Sequence, residues 1–205
     1  MKKSLREDLK PKGKVEIFVT KGKPVVHKDG TIDFSGCTIL EEQTKFNIIV
    51  NSGKNAFLRG LLTGYNKVIC RMAIGDRGTI PSDCTVPKTP KAEMKALYNE
   101  IYRGDVDVVV ENLGEGTHEL KFVKSFSALT VPIASFSNQA RPIVNEVGLI
   151  MCDLLGGLPL PRTENISMQD IGSDEELFSI RCFKSVPFEA EEEIAVTIRY
   201  SIFVE

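Results

Sequence analysis

At 205 residues, with 42% hydrophobic and 26% charged residues and a formal net charge of −2, the chain has the composition of an ordinary globular protein, one that builds a core without staples. Its longest apolar runs fall far short of the ~20 residues a membrane span needs, and the lysine-rich start (MKKSLREDLKPKGK) has no apolar stretch behind it, so neither a membrane helix nor a secretory leader is read. Residues 1–30 hold nine Lys/Arg against four Asp/Glu and residues 31–205 seventeen against twenty-four, a basic arm on an acidic body, but without the aromatic interleaving and arginine density of a single-strand nucleic-acid binder.

Taken in chain order, residues 15–20 (VEIFVT) have the β-branched and aromatic content of a strand, and 21–24 form a turn. Residues 25–34 read as a second strand interrupted by Asp29-Gly30, a two-residue hairpin signal. Residues 1–44 are therefore expected to form a basic arm with a small hairpin, and 45–205 the main body. Strand 46–50 runs into Asn51-Ser52, either of which caps a helix over 53–63. Phe57, Leu58, Leu61 and Leu62 fall on one face of that helix, and Gly64 stands at its C′ position.

Strand 68–74 ends at Gly75-Asp76-Arg77-Gly78, a glycine-bracketed turn that lacks the spacing of a phosphate-binding loop. After a loop over 81–90, Thr89 as cap and Pro90 at the first position start a second helix, with Met94, Leu97, Tyr98 and Ile101 as its apolar stripe. Strands 105–110 and 119–126 flank a turn at 112–116, and 131–136 is expected to pair next. Strand 143–151 is apolar enough to be buried, and Gly156-Gly157 turns the chain into 158–162, whose prolines direct it to a sheet edge. Strands 178–184 and 193–204 complete the set. In the last, Ile194, Val196, Ile198, Tyr200, Ile202 and Val204 alternate with a second face. The fold class read from this order is mainly β: an antiparallel β-sandwich, jelly-roll-like, with two short helices and an N-terminal arm.

Little in the chain points to reactive chemistry. Cys37, Cys70, Cys84, Cys152 and Cys182 are odd in number, widely spaced and free of any CxxC pair, so they read as small buried hydrophobes, with pairing between subunits left open. His27 and His118, the two histidines, both neighbour turns, and no GxSxG or HExxH accompanies them. Glu189 with Glu191–Glu193, and residues 170–176 (DIGSDEE), read as solvated acidic turns that lack EF-hand spacing. No catalytic residue, cofactor or metal is assigned.

The ordered segments NSGKNAFLRGLLTG, CRMAIGDRGTIPSD, ALYNEIYRGDV and NEVGLIMCDLLGGLPLPR, followed by the terminal alternating strand, resemble the N-terminal module of bacteriophage tail-collar fibre proteins and related virion structural proteins. That family shows a strand-to-helix start, an A-I/V-G-x-G turn followed by proline, a short helix ending near NEV-x-R, and an x-E-V-G-L-F strand before a glycine turn. Here residues 99–103 (NEIYR) and 145–149 (NEVGL) match the last two, and the resemblance covers about residues 46–204. In fibre proteins a shaft and receptor-binding tip follow the module, whereas here Glu205 follows its last strand, so a stand-alone part is expected.

The resemblance implies a non-enzymatic virion component: a collar, neck or tail-fibre-attachment protein, or alternatively a capsid decoration protein or a receptor- or glycan-binding module of the tail. Its implied partners are copies of itself and other virion proteins of the portal, neck, tail or capsid, with neither membrane nor nucleic acid expected. Within it Gly75 and Gly78 are expected to shape a turn, Gly148 to allow close backbone approach, and Asn145 and Glu146 to bond to turn backbone. The absence of tryptophan and an aromatic content of 7% weigh against glycan stacking.

Overall fold

The computed structural model describes residues 12–63, 67–114, 117–155, 158–159 and 175–204. The architecture is mainly β, with antiparallel pairing throughout and, among the described residues, one α-helix. A five-stranded sheet has the order β10 (Val108–Gly114), β11 (Thr117–Ser127), β15 (Ile194–Val204), β1 (Lys12–Lys21), β4 (Thr38–Phe46). A second, larger sheet runs β5 (Ile48–Ile49), β14 (Glu176–Pro187), β12 (Ile143–Leu155), β6 (Lys67–Gly75), β9 (Glu100–Asp105), with β13 (Leu158–Pro159) paired to the far end of β12. Two small ribbons, β2 (Val25–Val26) with β3 (Ile32–Asp33) and β7 (Thr79–Ile80) with β8 (Asp83–Pro87), complete the set.

The alternation of β15 explains its central place. Ile194, Val196, Ile198, Tyr200 and Ile202 are all buried and join Val15, Ile17 and Val19 of β1 and Phe122 and Phe126 of β11. The same cluster takes Met72 and Ile74 of β6, Val147 and Leu149 of β12 and Phe183 and Val186 of β14, so both large sheets supply one core. The larger sheet is covered on its other face too: Ala73, Ile150, Leu177 and Ile180 pack with Val50, Leu97 and Met94. A sheet buried on both faces needs near-continuous apolar strands, which is how β12 reads.

Residues 12–21 do not stand apart as an arm. β1 lies between β15 and β4, and β4 itself crosses residue 44. The hairpin signal at Asp29-Gly30 corresponds to the β2–β3 ribbon, where Gly30 has φ of 78° and lies against Val110. That ribbon and Phe34, whose ring is 5.2 Å from Phe18, lie on the outer side of the five-stranded sheet.

Four expectations need correction. The second helix is absent: residues 91–99 form turns and irregular chain, and Ile101 and Tyr102 belong to β9. The physical cause is tertiary, because the Tyr98 and Asn99 N–H groups donate to the Glu146 carboxylate instead of to carbonyls four residues back. Residues 131–136 form a 3₁₀ turn (Ile133–Ser135) rather than a strand, although Val131 and Phe136 are buried. The helix α1 (Asn51–Thr63) does form, yet Leu58 is 55% exposed and Phe57 only half-buried, whereas Gly53 and Ala56 are buried; the side chains of Leu61 and Leu62 lie outside the described ones. Finally, Cys70 and Cys152 are not separate buried hydrophobes: they are joined in a disulfide, leaving Cys37, Cys84 and Cys182 free. The expected Gly64 cap and the Gly156-Gly157 turn lie outside the described residues.

Candidate functional site

The residues singled out in the sequence meet at the start of β12. Glu146 is fully buried, opposite Gly75 of β6 on one side and Cys182 of β14 on the other. Its Oε1 accepts from the backbone N–H groups of Asn99 at 2.8 Å and Arg77 at 3.2 Å, and its Oε2 from that of Tyr98 at 2.8 Å. Burial pushes the Glu146 carboxyl up to about 6, with nearby Asp76 adding to the rise and the three backbone donors opposing it. The neighbouring Cys182 thiol is pushed up to about 12, by burial first and the Glu146 charge second.

Asn145 completes the knot from the adjacent position. Its Oδ1 accepts from Gly78 N–H at 2.5 Å, and its amide donates to the Asp76 carbonyl at 3.2 Å, Thr79 Oγ1 at 3.1 Å and Ser185 Oγ at 3.0 Å. Asp76, also buried, accepts from Ser137 N–H at 2.6 Å and from the Asn99 amide at 2.7 Å. Buried polar groups must be paired, and here each of these side chains is used to pin a turn that makes few ladder bonds of its own.

The glycines are explained by close approach rather than by left-handed backbone. A Cβ on Gly75 would stand 2.3 Å from the Asn99 carbonyl oxygen and 2.5 Å from Glu146 Oε1. One on Gly78 would stand 2.3 Å from the Asn145 carbonyl oxygen. Gly148 lies further along β12, apart from the knot, where a Cβ would press on the ends of Leu97 and Leu177 at 2.7 and 2.9 Å.

A second buried polar group lies beside the first, at the β9 edge. The Glu175 carboxylate is gripped by Arg71 from β6 and Arg103 from β9, and Arg103 also holds Glu100, with Nη2 to Oε2 at 2.8 Å. Arg71 reaches Asp105 at 2.9 Å. The side chains of Arg71, Arg103, Glu100 and Glu175 are all at most 5% exposed. Burial raises the Glu100 carboxyl above its ordinary range against the pull of Arg103. A cleft of about 500 Å³ opens alongside, lined by Ser52, Lys95 and Leu177 besides Glu100, Arg103 and Glu175. Sequence reasoning missed this cluster, since Arg71 and Arg103 sit in strands at positions that periodicity alone would give to apolar side chains.

Within the knot each carboxylate oxygen of Glu146 and Asp76 accepts at least one donor, so no free base is presented there. His27 is exposed at the β2–β3 turn, and His118 lies on β11 opposite Leu113. Glu189 and Glu191–Glu193 occupy an exposed turn, and among the described residues no group of three His, Cys, Asp or Glu is placed to hold a metal ion. Among the described residues no helix is long and apolar enough to cross a membrane. Compared with known proteins, the chain matches no family model, no curated protein and no solved structure.

Proposed function

We propose that the chain is a non-enzymatic structural protein of a bacteriophage particle, a collar, neck or tail-fibre-attachment component, folded as a jelly-roll-like β-sandwich and assembled through repeated subunit contacts. One observation carries the reading. Three of the segments on which the resemblance to tail-collar fibre modules rests converge on a single side chain: Glu146, in NEVGL, receives N–H bonds from Arg77 of CRMAIGDRGTIPSD and from Tyr98 and Asn99 of ALYNEIYRGDV. Residues that are far apart in sequence and share a motif order are thereby tied to one structural task, holding turns at fixed positions on a sheet. A rigid scaffold of this kind suits a part whose function is its shape.

Mass spectrometry of purified particles tests the proposal. The chain is expected in a fixed stoichiometric ratio to the other virion proteins and, when purified alone, at a light-scattering mass above that of one chain. Its absence from washed particles overturns the reading.

A further inference from the structure

Five side-chain atoms beside the passage from β4 to β5 are sealed from solvent and, among the described residues, have no hydrogen-bond partner: Asn47 Nδ2 and Oδ1, Ser179 Oγ, Arg181 Nε and Tyr200 Oη. Register brings them to one place. Ser179 and Arg181 of β14 stand opposite Leu149 and Val147 of β12, which belong to the core shared by the two large sheets, so both side chains point inward. Tyr200, fully buried, enters the same core from β15, where it lies opposite Val15. Asn47 is the residue between β4 and β5, and Ile48 already pairs with Ile180, so Asn47 comes beside Arg181.

These side chains are held in position by other contacts. The Asn47 N–H donates to the Gly13 carbonyl at 3.0 Å, and the Asn47 amide lies so close over the bare Cα of Gly13 that a Cβ there would collide with it. Arg181 is anchored by its other end, Nη1 donating to the Phe46 carbonyl at 2.9 Å. Burial pushes the Tyr200 phenol above its ordinary range, while Ser179, Asn47 and the Arg181 charge pull it back, so all three are near neighbours of the hydroxyl. Polar groups this close, buried and unbonded to one another lose their hydration with nothing in its place unless a further polar molecule lies among them.

The donors and acceptors select that molecule. Arg181 Nε–H and the Asn47 amide N–H groups only donate, Asn47 Oδ1 only accepts, and the Ser179 and Tyr200 hydroxyls do either. A small anion would satisfy the N–H groups but would set its charge against the lone pairs of Oδ1. Water both accepts and donates, and a buried water commonly makes about three such bonds. We propose that Asn47, Ser179, Arg181 and Tyr200 form an internal binding site for ordered water, which ties the passage from β4 to β5 to the inner faces of both large sheets. The four side chains belong to one chain, so the site does not depend on assembly.

Crystal structures of the full chain grown in chloride and in bromide test the proposal. A solvent oxygen is expected within about 2.7–3.2 Å of at least three of the four side chains, with no anomalous scattering from bromide at that point. In solution, NMR reads the same site through nuclear Overhauser contacts of the Asn47 Nδ2–H and Arg181 Nε–H protons with a long-lived water. Y200F and S179A, each shown by thermal melts to be folded, keep both N–H groups, so the contacts should survive either change. A signal relayed by exchange of one hydroxyl would end with that hydroxyl. A bromide peak at the site, direct bonds among the four side chains with no solvent atom between them, or loss of the contacts with either hydroxyl overturns the proposal.

Discussion

Glu146 and Gly75 face each other across the β12–β6 pair so closely that a methyl group on the glycine would meet the carboxylate oxygen at 2.5 Å. The glycine is thus part of the carboxylate's site: it leaves the space through which Glu146 reaches the Arg77 and Asn99 N–H groups. The relation is steric, and it separates the glycines of this chain into those that can be replaced and those that cannot.

G75A and G78A are expected to destabilise the protein by about 1–3 kcal/mol each, because the obstructing atoms include the backbone oxygens of Asn99 and Asn145, which cannot move without shifting the chain around them. G36A is the control, since nothing lies within 4 Å of a Cβ placed there. Denaturant melts of the three variants decide the matter. Equal midpoints for all three would show that the turn has slack these distances deny.

The Glu146 carboxyl gives stability a pH dependence of known sign. Its value in the fold, about 6, lies above the ordinary 4.5, so the folded state holds the proton more tightly than the unfolded chain. The contribution is fully present below pH 4.5 and is lost as pH rises through about 6, amounting to about 2 kcal/mol by linkage. In E146Q the group no longer titrates. From well below pH 4.5 to well above pH 6 the parent should therefore lose about 2 kcal/mol more than E146Q in urea melts. Parallel curves would place the carboxyl at its ordinary value and show that its three backbone donors offset its burial.

The sequence was most legible where side-chain alternation and burial agree. β15 alternates without interruption and is the centre of its sheet, and β12 is apolar and buried on both faces. β4 escaped because TILEEQTKF has one buried residue, Gln43, and owes its conformation to backbone pairing with β1. The second helix was read from a sound apolar stripe at Met94, Leu97 and Tyr98, but a carboxylate 48 residues away from Tyr98 takes its N–H, and no local pattern reports that. Gly75 and Gly78 stand out locally because they bracket a turn, whereas Asn145 and Glu146 were singled out through the motif resemblance and by no local pattern of their own. The Arg71, Arg103 and Glu175 cluster was not, since its members are each unremarkable until the strands are paired.

That cluster predicts a variant whose defect depends on acidity. R103M removes the partner of Glu100 and one of the partners of Glu175 while keeping the volume of the side chain's stem. Leaving the buried Glu100 carboxylate without its guanidinium costs about 3–5 kcal/mol at neutral pH, while Glu175 keeps Arg71. Burial already raises the Glu100 carboxyl, and without the guanidinium it rises further, so the variant regains stability as pH falls and the group takes up its proton. Melts of R103M at neutral and mildly acidic pH should show a deficit that shrinks on acidification. A constant deficit would mean that the loss is one of packing alone.

The disulfide joins β6 to β12 where their register shifts, between Cys70 and Cys152, with Cα atoms 6.3 Å apart and a sequence separation of 82. Closing so long a loop restricts the unfolded chain, and a link of this kind contributes about 2–4 kcal/mol. Both cysteines lie in adjacent paired strands, so the folded state keeps its neighbours when the link is removed, and the double variant C70S/C152S should fold with a lower midpoint. Thiol titration of the denatured parent should find three reactive groups, Cys37, Cys84 and Cys182, without reductant and all five with it. Five reactive thiols in protein kept from reductant would show that the two strands hold together by pairing and packing only, and the serine variant would then match the parent.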